Sequence, residues 1–332
     1  LVNFASLPRG SKKYLIEEES IIHYLSAERD LVMISQESKK GEGFMAMGSP
    51  AFDSTDLFAS LVPGPVEQRA SKSAVSDNKL SFRGERSICA DFQTMHFNPL
   101  PASLTEVREV SKIWQKSGMA RRKTNALQLT GVAATEKAFK TNAPGKHVLH
   151  LATHGFFLGG KCKSALNARG VSGLGTLDQR RAAPVEGENP LLLSGLAMAG
   201  ANHRKAAGPD EEDGILTAEE IASLDLSGVE WAVLSACDTG VGEIKAGEGV
   251  FGLRRAFQLA GVDTLIMSLW AVKDEPARRW MKALYKARFE SGMSTAEAVR
   301  NANISILMEL RRKGRSTHPF YWAGFVAAGD WR

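Results

Sequence analysis

The chain has 332 residues, 43% of them hydrophobic and 24% charged, with 42 basic against 37 acidic side chains for a net charge of +5. These are ordinary globular values, and no apolar run reaches the roughly 18 residues that a membrane-spanning helix needs. The basic residues are scattered among acidic ones, which reads as a solvated surface and not as a nucleic-acid-binding stripe.

Three cysteines, Cys89, Cys162 and Cys237, lie far apart with no CxxC pair. That pattern argues against a disulfide framework or a zinc site and fits a reducing, cytoplasmic compartment. No secretory signal pattern opens the chain. Its leucine start reads as a fragment or a processed form.

In chain order, residues 11–35 carry short apolar segments that read as strands or a strand and a turn. "GFMAMGSPAF" (43–52) reads as a buried strand closed by Gly and Pro. Residues 53–92 are polar and read as a long loop or insertion. From about residue 100, helices and strands alternate. "SLTEVREVSKIWQK" has helical spacing at Leu104, Val107, Val110 and Ile113, with Ser103 as its expected cap. "ALQLTG" is a strand, and "ATEKAFK" a helix with Thr130 or a nearby small residue as cap. "KHVLHLAT" is a strand, followed by a long polar loop at 158–189.

"LTAEEIASL" is a helix opened by Thr217, "VEWAVLSA" a strand, and "EGVFGLRRAFQLAG" a helix closed by Gly261. "VDTLIMSLW" is a strand. Two helices follow, one with Pro276 in its first turn, the other capped by Ser294 and closed by Gly314. "PFYWAGFVAAGD" is the final strand. Alternation with near-continuous apolar strands gives an α/β fold, a mostly parallel sheet with helices on both faces.

Two strand ends carry the chemistry. "HVLHLATHGFF" runs up to His154 and stops at Gly155, and "VEWAVLSACDTG" runs up to Cys237. In open α/β sheets, ligands bind beyond the carboxyl ends of the strands. If the two strands are parallel neighbours, both side chains leave the same edge. A thiolate is the nucleophile, and an imidazole beside it can take the thiol proton or protonate a leaving amine. The backbone N–H groups of Gly155 and Cys237 are candidates for an oxyanion site. A buried structural cysteine and a hydrogen-bonded strand-end histidine are the bland alternatives.

At these residues the chain resembles the CHAT domain family, caspase-like peptidases related to separase and the metacaspases. The matching text is "VLHLATHGFF", "NPLLLSGLAMAGAN", "DGILTAEEI", "LSACDTGVGEIKAGEGVFGLRRAFQLAGVDTLIMSLWAVKDEPA" and "HPFYWAGFVAAGD", in that order. The resemblance implies a caspase-like three-layer sandwich with His154 and Cys237 as a dyad. It divides the chain into amino-terminal strands at 1–42 and a peptidase domain at 43–332. It also implies a cysteine endopeptidase gated by a regulatory partner or by a fused repeat domain of the TPR type. The expected partners are a protein substrate and that regulator, with no direct nucleic-acid or membrane partner.

"SLWAVKDEP" is similar to a separase segment that lines the pocket for the residue before the cleaved bond. By that match Asp274 would read a basic side chain through charge-assisted hydrogen bonds; the competing role is a helix cap. Asp238 and Asp213 are weaker substrate-binding candidates, with turn and loop roles as alternatives. "GEGVFG" (247–252) matches GxGxxG but follows Cys237 by ten residues, so it reads as a loop and helix start and not a nucleotide cradle. His147 and His150 face opposite sides of a strand, so with His154 they do not form a metal site. No Asp-rich loop argues for calcium, and no cofactor is expected. Arg180 and Arg181 in the 158–189 loop are a candidate self-cleavage point. Two rival readings are a non-catalytic scaffold on the same fold and a thiol hydrolase or acyltransferase using the same pair.

Overall fold

A computed structural model describes residues 3–10, 13–18, 21–25, 31, 40–58, 82–83, 95–117, 126–157, 191, 193–208, 211–236 and 246–332. Most of the two loops expected at 53–92 and 158–189, together with Cys237 and Asp238, lies outside the described residues.

The strands are β1 (Pro8–Arg9), β2 (Lys13–Tyr14), β3 (Phe44–Pro50), β4 (Phe82–Arg83), β5 (Leu127–Gly131), β6 (Val148–Ala152), β7 (Gly155–Phe157), β8 (Ser194–Ala197), β9 (Ile215–Thr217), β10 (Trp231–Leu234), β11 (Thr264–Ser268), β12 (Val272–Lys273) and β13 (Phe325–Gly329). The helices are α1 (Pro101–Lys116), α2 (Glu136–Asn142), α3 (Ala218–Ala222), α4 (Ala246–Leu259), α5 (Asp274–Tyr285) and α6 (Thr295–Arg312).

Six strands form the central sheet in the order β13-β11-β10-β6-β3-β5, parallel except for β13. This is the α/β sandwich that the strand–helix alternation predicts. Because side chains alternate across a strand, each strand feeds two cores. Phe44, Ala46, Val148, Trp231 and Ile266 pack with Val107, Trp114, Trp280 and Tyr285 from α1 and α5. Met45, Met47, Leu149, Ala232 and Leu265 pack with Phe139, Ile221 and Phe257 from α2, α3 and α4 on the other face. Each large apolar side chain fully buried this way contributes about 1.5–3 kcal/mol. Gly48 lets α1 approach closely, since a Cβ there would lie 2.7 Å from the Val107 side chain.

Several expected boundaries move. Of residues 11–35, the described ones include the two-residue β2, a 3-10 turn at Leu15–Glu17 and a bridge from Tyr24 to Ala328, while most of "DLVMIS" lies outside the described residues. The cap of α2 is Thr135, whose side chain accepts from the Ala138 N–H; Thr130 lies inside β5. Ser103 does not cap α1, which begins at Pro101; its hydroxyl donates to Leu100 O and accepts from the Ser49 N–H. The segment "PFYWAGFVAAGD" opens with a 3-10 turn at Pro319–Tyr321 and becomes strand only at Phe325. Thr217 and Ser294 cap their helices as expected, each with a reciprocal glutamate three residues on.

A small sheet, β7-β8-β9, stands at the carboxyl end of the central one. The sequence reading did not find β8 and β9 because neither is long enough to show a period. The amino-terminal residues dock against α6 and the β13 edge: Asn3 donates to Ala323 O, and Arg300 donates to the carbonyls of Ile16 and Glu18.

Candidate functional site

β6 and β10 are parallel neighbours in direct register, Val148 opposite Trp231 through Leu151 opposite Leu234. The Ser235 N–H still donates to Leu151 O, so the pairing extends one residue past the strand. The chain therefore leaves β6 toward His154 and leaves β10 toward residue 237 at one edge of the sheet. That is the arrangement expected from the two apolar runs. Cys237 itself follows Ala236, the last described residue there, and with Asp238 lies outside the described residues.

His154 is 1% exposed. Its Nε2 lies 2.7 Å from the backbone carbonyl oxygen of Asn98. A carbonyl has no hydrogen to give, so Nε2 carries the proton and donates it. In the neutral ring the basic lone pair is then on Nδ1. The rings of Phe52 and Phe97 flank the imidazole, with centroids 5.3 and 5.7 Å away. Both belong to a third, smaller core with Met95, Phe156 and Ile215. Gly155 begins β7 and is paired with Leu196; the Ala197 N–H donates to His154 O. The histidine is thus fixed from its backbone by β8 and from its ring by the segment 95–100.

The other two histidines have separate surroundings. His150 is fully buried, with Nε2 3.0 Å from Glu106 Oε1 and Nδ1 3.1 Å from the Tyr285 hydroxyl. Burial, and then the charge of Glu106, push the Tyr285 phenol well above its usual range, so it keeps its proton. His147 faces Glu230 at 3.3 Å; burial depresses its imidazole, partly opposed by the Glu230 charge.

Asp274 is 4% exposed, and its Oδ2 accepts from the Ala102 N–H at 2.7 Å. It therefore caps α1, a helix remote in sequence, while also opening α5. Asp213 is buried in the turn before β9, accepting from the Ile215 N–H. Beside it Glu136 accepts from the N–H groups of Gly214 and Ile215. Gly247–Gly252 lie within α4, so that glycine motif is helix and not a phosphate loop.

Among the described residues, Glu136, Glu212 and Glu220 form the one group of three metal-ligand side chains, and Lys140 already sits among them, 2.7 Å from Glu212 and 3.1 Å from Glu220. Burial, then the charges of Asp213 and Glu220, raise Glu136 well above the carboxylate range. Burial alone would lower Lys140, but its hydrogen bond to Glu212 and the surrounding carboxylates raise it. The ammonium is thus the internal counter-ion of Glu136, Glu212 and Glu220, and burial disfavours the ionised form of Glu136.

Sequence reasoning missed two contributors to the site, Phe97 and Asn202. Phe97 lies in an extended stretch without periodicity. Asn202 stands at the end of the matching text "NPLLLSGLAMAGAN", which was the available signal.

Among the described residues no helix is long and apolar enough to cross a membrane. Tetratricopeptide repeat protein 28 of Homo sapiens is 29% identical over 123 residues, 37% of this chain and 5% of that protein. The Mus musculus protein of the same name is 29% identical over 117 residues, 35% of this chain and 4% of that protein. The chain thus matches only a small part of the length of these curated relatives. The family model described as CHAT domain matches residues 1–330, and the chain belongs to that family.

Proposed function

We propose that the chain is a cysteine endopeptidase in which Cys237 attacks the scissile carbonyl and His154 moves the protons. The observation that carries this reading is the in-register parallel pairing of β6 and β10, which sends both chain segments off one sheet edge, together with the donation from His154 Nε2 to Asn98 O. With Nε2 committed, Nδ1 is the nitrogen that would take the thiol proton and return it to the leaving amine. The N–H groups of Gly155 and Cys237 would receive the oxyanion.

The near-complete enclosure of His154 supports gating: a ring 1% exposed cannot meet a substrate until a covering segment moves. The similarity to tetratricopeptide repeat proteins supports a repeat domain, fused or separate, as the element that moves it. A protein substrate cleaved after a basic residue would bring Asp274 into play. Its carboxylate is already engaged by α1, so that preference has to be measured.

Covalent trapping tests the reading. The protein is treated with Arg-directed and with Leu- or Met-directed peptidyl electrophiles, with and without a repeat-domain partner, and the adduct is mapped by mass spectrometry. A single adduct on Cys237 that vanishes in His154→Ala is expected, and the preferred peptide assigns or dismisses Asp274 as the reader. Adducts only on Cys89 or Cys162 would leave the scaffold reading in its place.

A further inference from the structure

The segment 95–100 forms a strap across the His154 ring, and its position is set by side chains outside the dyad. Met95, Phe97 and Leu100 are buried, and His96, Asn98 and Pro99 are exposed. Among the described residues no backbone ladder joins it to the central sheet. Met95, Phe97 and Asn98 hydrogen-bond to side chains instead, while Leu100 O takes the Ser103 N–H of α1. The Phe97 N–H donates to Asn202 Oδ1 at 2.8 Å, and Asn202 Nδ2 donates back to Phe97 O at 3.0 Å. The amide of Asn202 thus pairs with one strap residue as a neighbouring strand would, and this reciprocal pattern fixes which end of the amide is oxygen. Asn202 Nδ2 also donates to Asp53 Oδ1 at 2.7 Å, and Arg204 Nη2 donates to Met95 O at 2.8 Å. Beyond the strap, Asp274 caps the first turn of α1 through Ala102. One residue after Phe97, the carbonyl of Asn98 receives the His154 proton.

We propose that Asn202 is a positioning residue for His154: by clamping Phe97 it aims the Asn98 carbonyl at Nε2 and so sets the tautomer and orientation of the ring, with Asp274 as the second anchor. The catalytic significance of this rests on the peptidase reading above, but the clamp itself does not. Free peptide could be satisfied by water if the strap lifted, so the strap stays only while its polar groups are matched. A carbonyl displaced by an ångström no longer binds Nε2. The ring would then exchange tautomers, and misplacement of that size in a catalytic group costs on the order of 100-fold in rate.

The test is imidazole nitrogen NMR on the full chain, with the His154 signal assigned by its loss in His154→Gln. Wild type is expected to show a pure Nε2–H tautomer. Asn202→Ala should give a mixed-tautomer signal. Asn202→Asp, which keeps the acceptor for the Phe97 N–H and loses the donor, should fall between. Asp274→Ala should move the signal and Asp274→Asn should restore it. Asn303→Ala removes the buried acceptor of Trp280 Nε1 and serves as a control for mere destabilisation, with the His154 signal unchanged. A folded Asn202→Ala or Asn202→Asp protein with the wild-type His154 signal would overturn the proposal, as would a control that shifts it equally. If Cys237 forms no adduct in any form, only the peptidase reading falls, because the NMR comparison decides the clamp without activity.

Discussion

His150 and His154 are four residues apart on one stretch of chain, yet the fold treats them in opposite ways. His150, inside β6, is held by two side chains from two helices, Glu106 of α1 and Tyr285 of α5. The Nε2 of His154, two residues past the strand, donates to a backbone carbonyl on a strap that is itself held by side chains. With Glu106 ionised, His150 donates from Nε2 and accepts the Tyr285 hydroxyl at Nδ1, so both nitrogens are matched inside a dry core. Such a group ties β6 to α1 and α5. The edge histidine gives its Nε2 proton to the strap carbonyl of Asn98, and its ring lies against the small core of Phe52 and Phe97 and not in the main one. Burial alone does not separate the two, since both are nearly inaccessible. The kind of partner does.

The comparison can be broken at several points. Phe97→Ala should cost the most, about 3–5 kcal/mol of stability by urea denaturation, because it empties the centre of the small core at the edge. It should also change the His154 NMR signal while leaving that of His150 in place. Glu106→Ala should do the reverse. It strips His150 of a fully buried partner and should cost about 3 kcal/mol, with the His154 signal unmoved. If either variant disturbs both histidines alike, the two regions are not independent.

Glu136→Gln sharpens the edge side. Glutamine keeps an oxygen for the N–H groups of Gly214 and Ile215, which lead into β9 and the small sheet. A carboxyl whose folded pKa is raised favours its protonated form in the fold. The wild type therefore loses stability as pH rises from the usual carboxylate value through the raised one, and is flat above it. Glutamine cannot ionise, so the variant should gain on the wild type across that window in parallel pH–denaturation series. A constant difference would show that Glu136 ionises normally. The smallest effect is expected at His96. It is exposed between two buried strap residues, and His96→Ala should stay within about 0.5 kcal/mol of wild type. A larger loss would mean that the strap depends on its outward side chains as well as on its clamps.

The sequence by itself determined the layers, the alternation of elements and the two apolar strands that end at one sheet edge. Near-continuous apolar runs such as "VLHLA" and "WAVL", short and bounded by turn residues, read as strands buried on both faces, and glutamates three residues after Thr217 and Ser294 announce helix starts locally. These signals are short-range and survive in a linear reading. The tertiary structure decided what touches each of those ends. Asp274 looked like a local cap or a pocket residue, and it caps α1, 172 residues away in sequence. Asn202 and Phe97, 105 residues apart, pair through an amide that no periodicity marks. A hydrogen bond between backbone and a distant side chain has no spacing rule, because its donor is present in nearly every residue. Only the tertiary packing, which sets α1 against the sheet and Asn202 against the strap, selects which of those donors and acceptors meet.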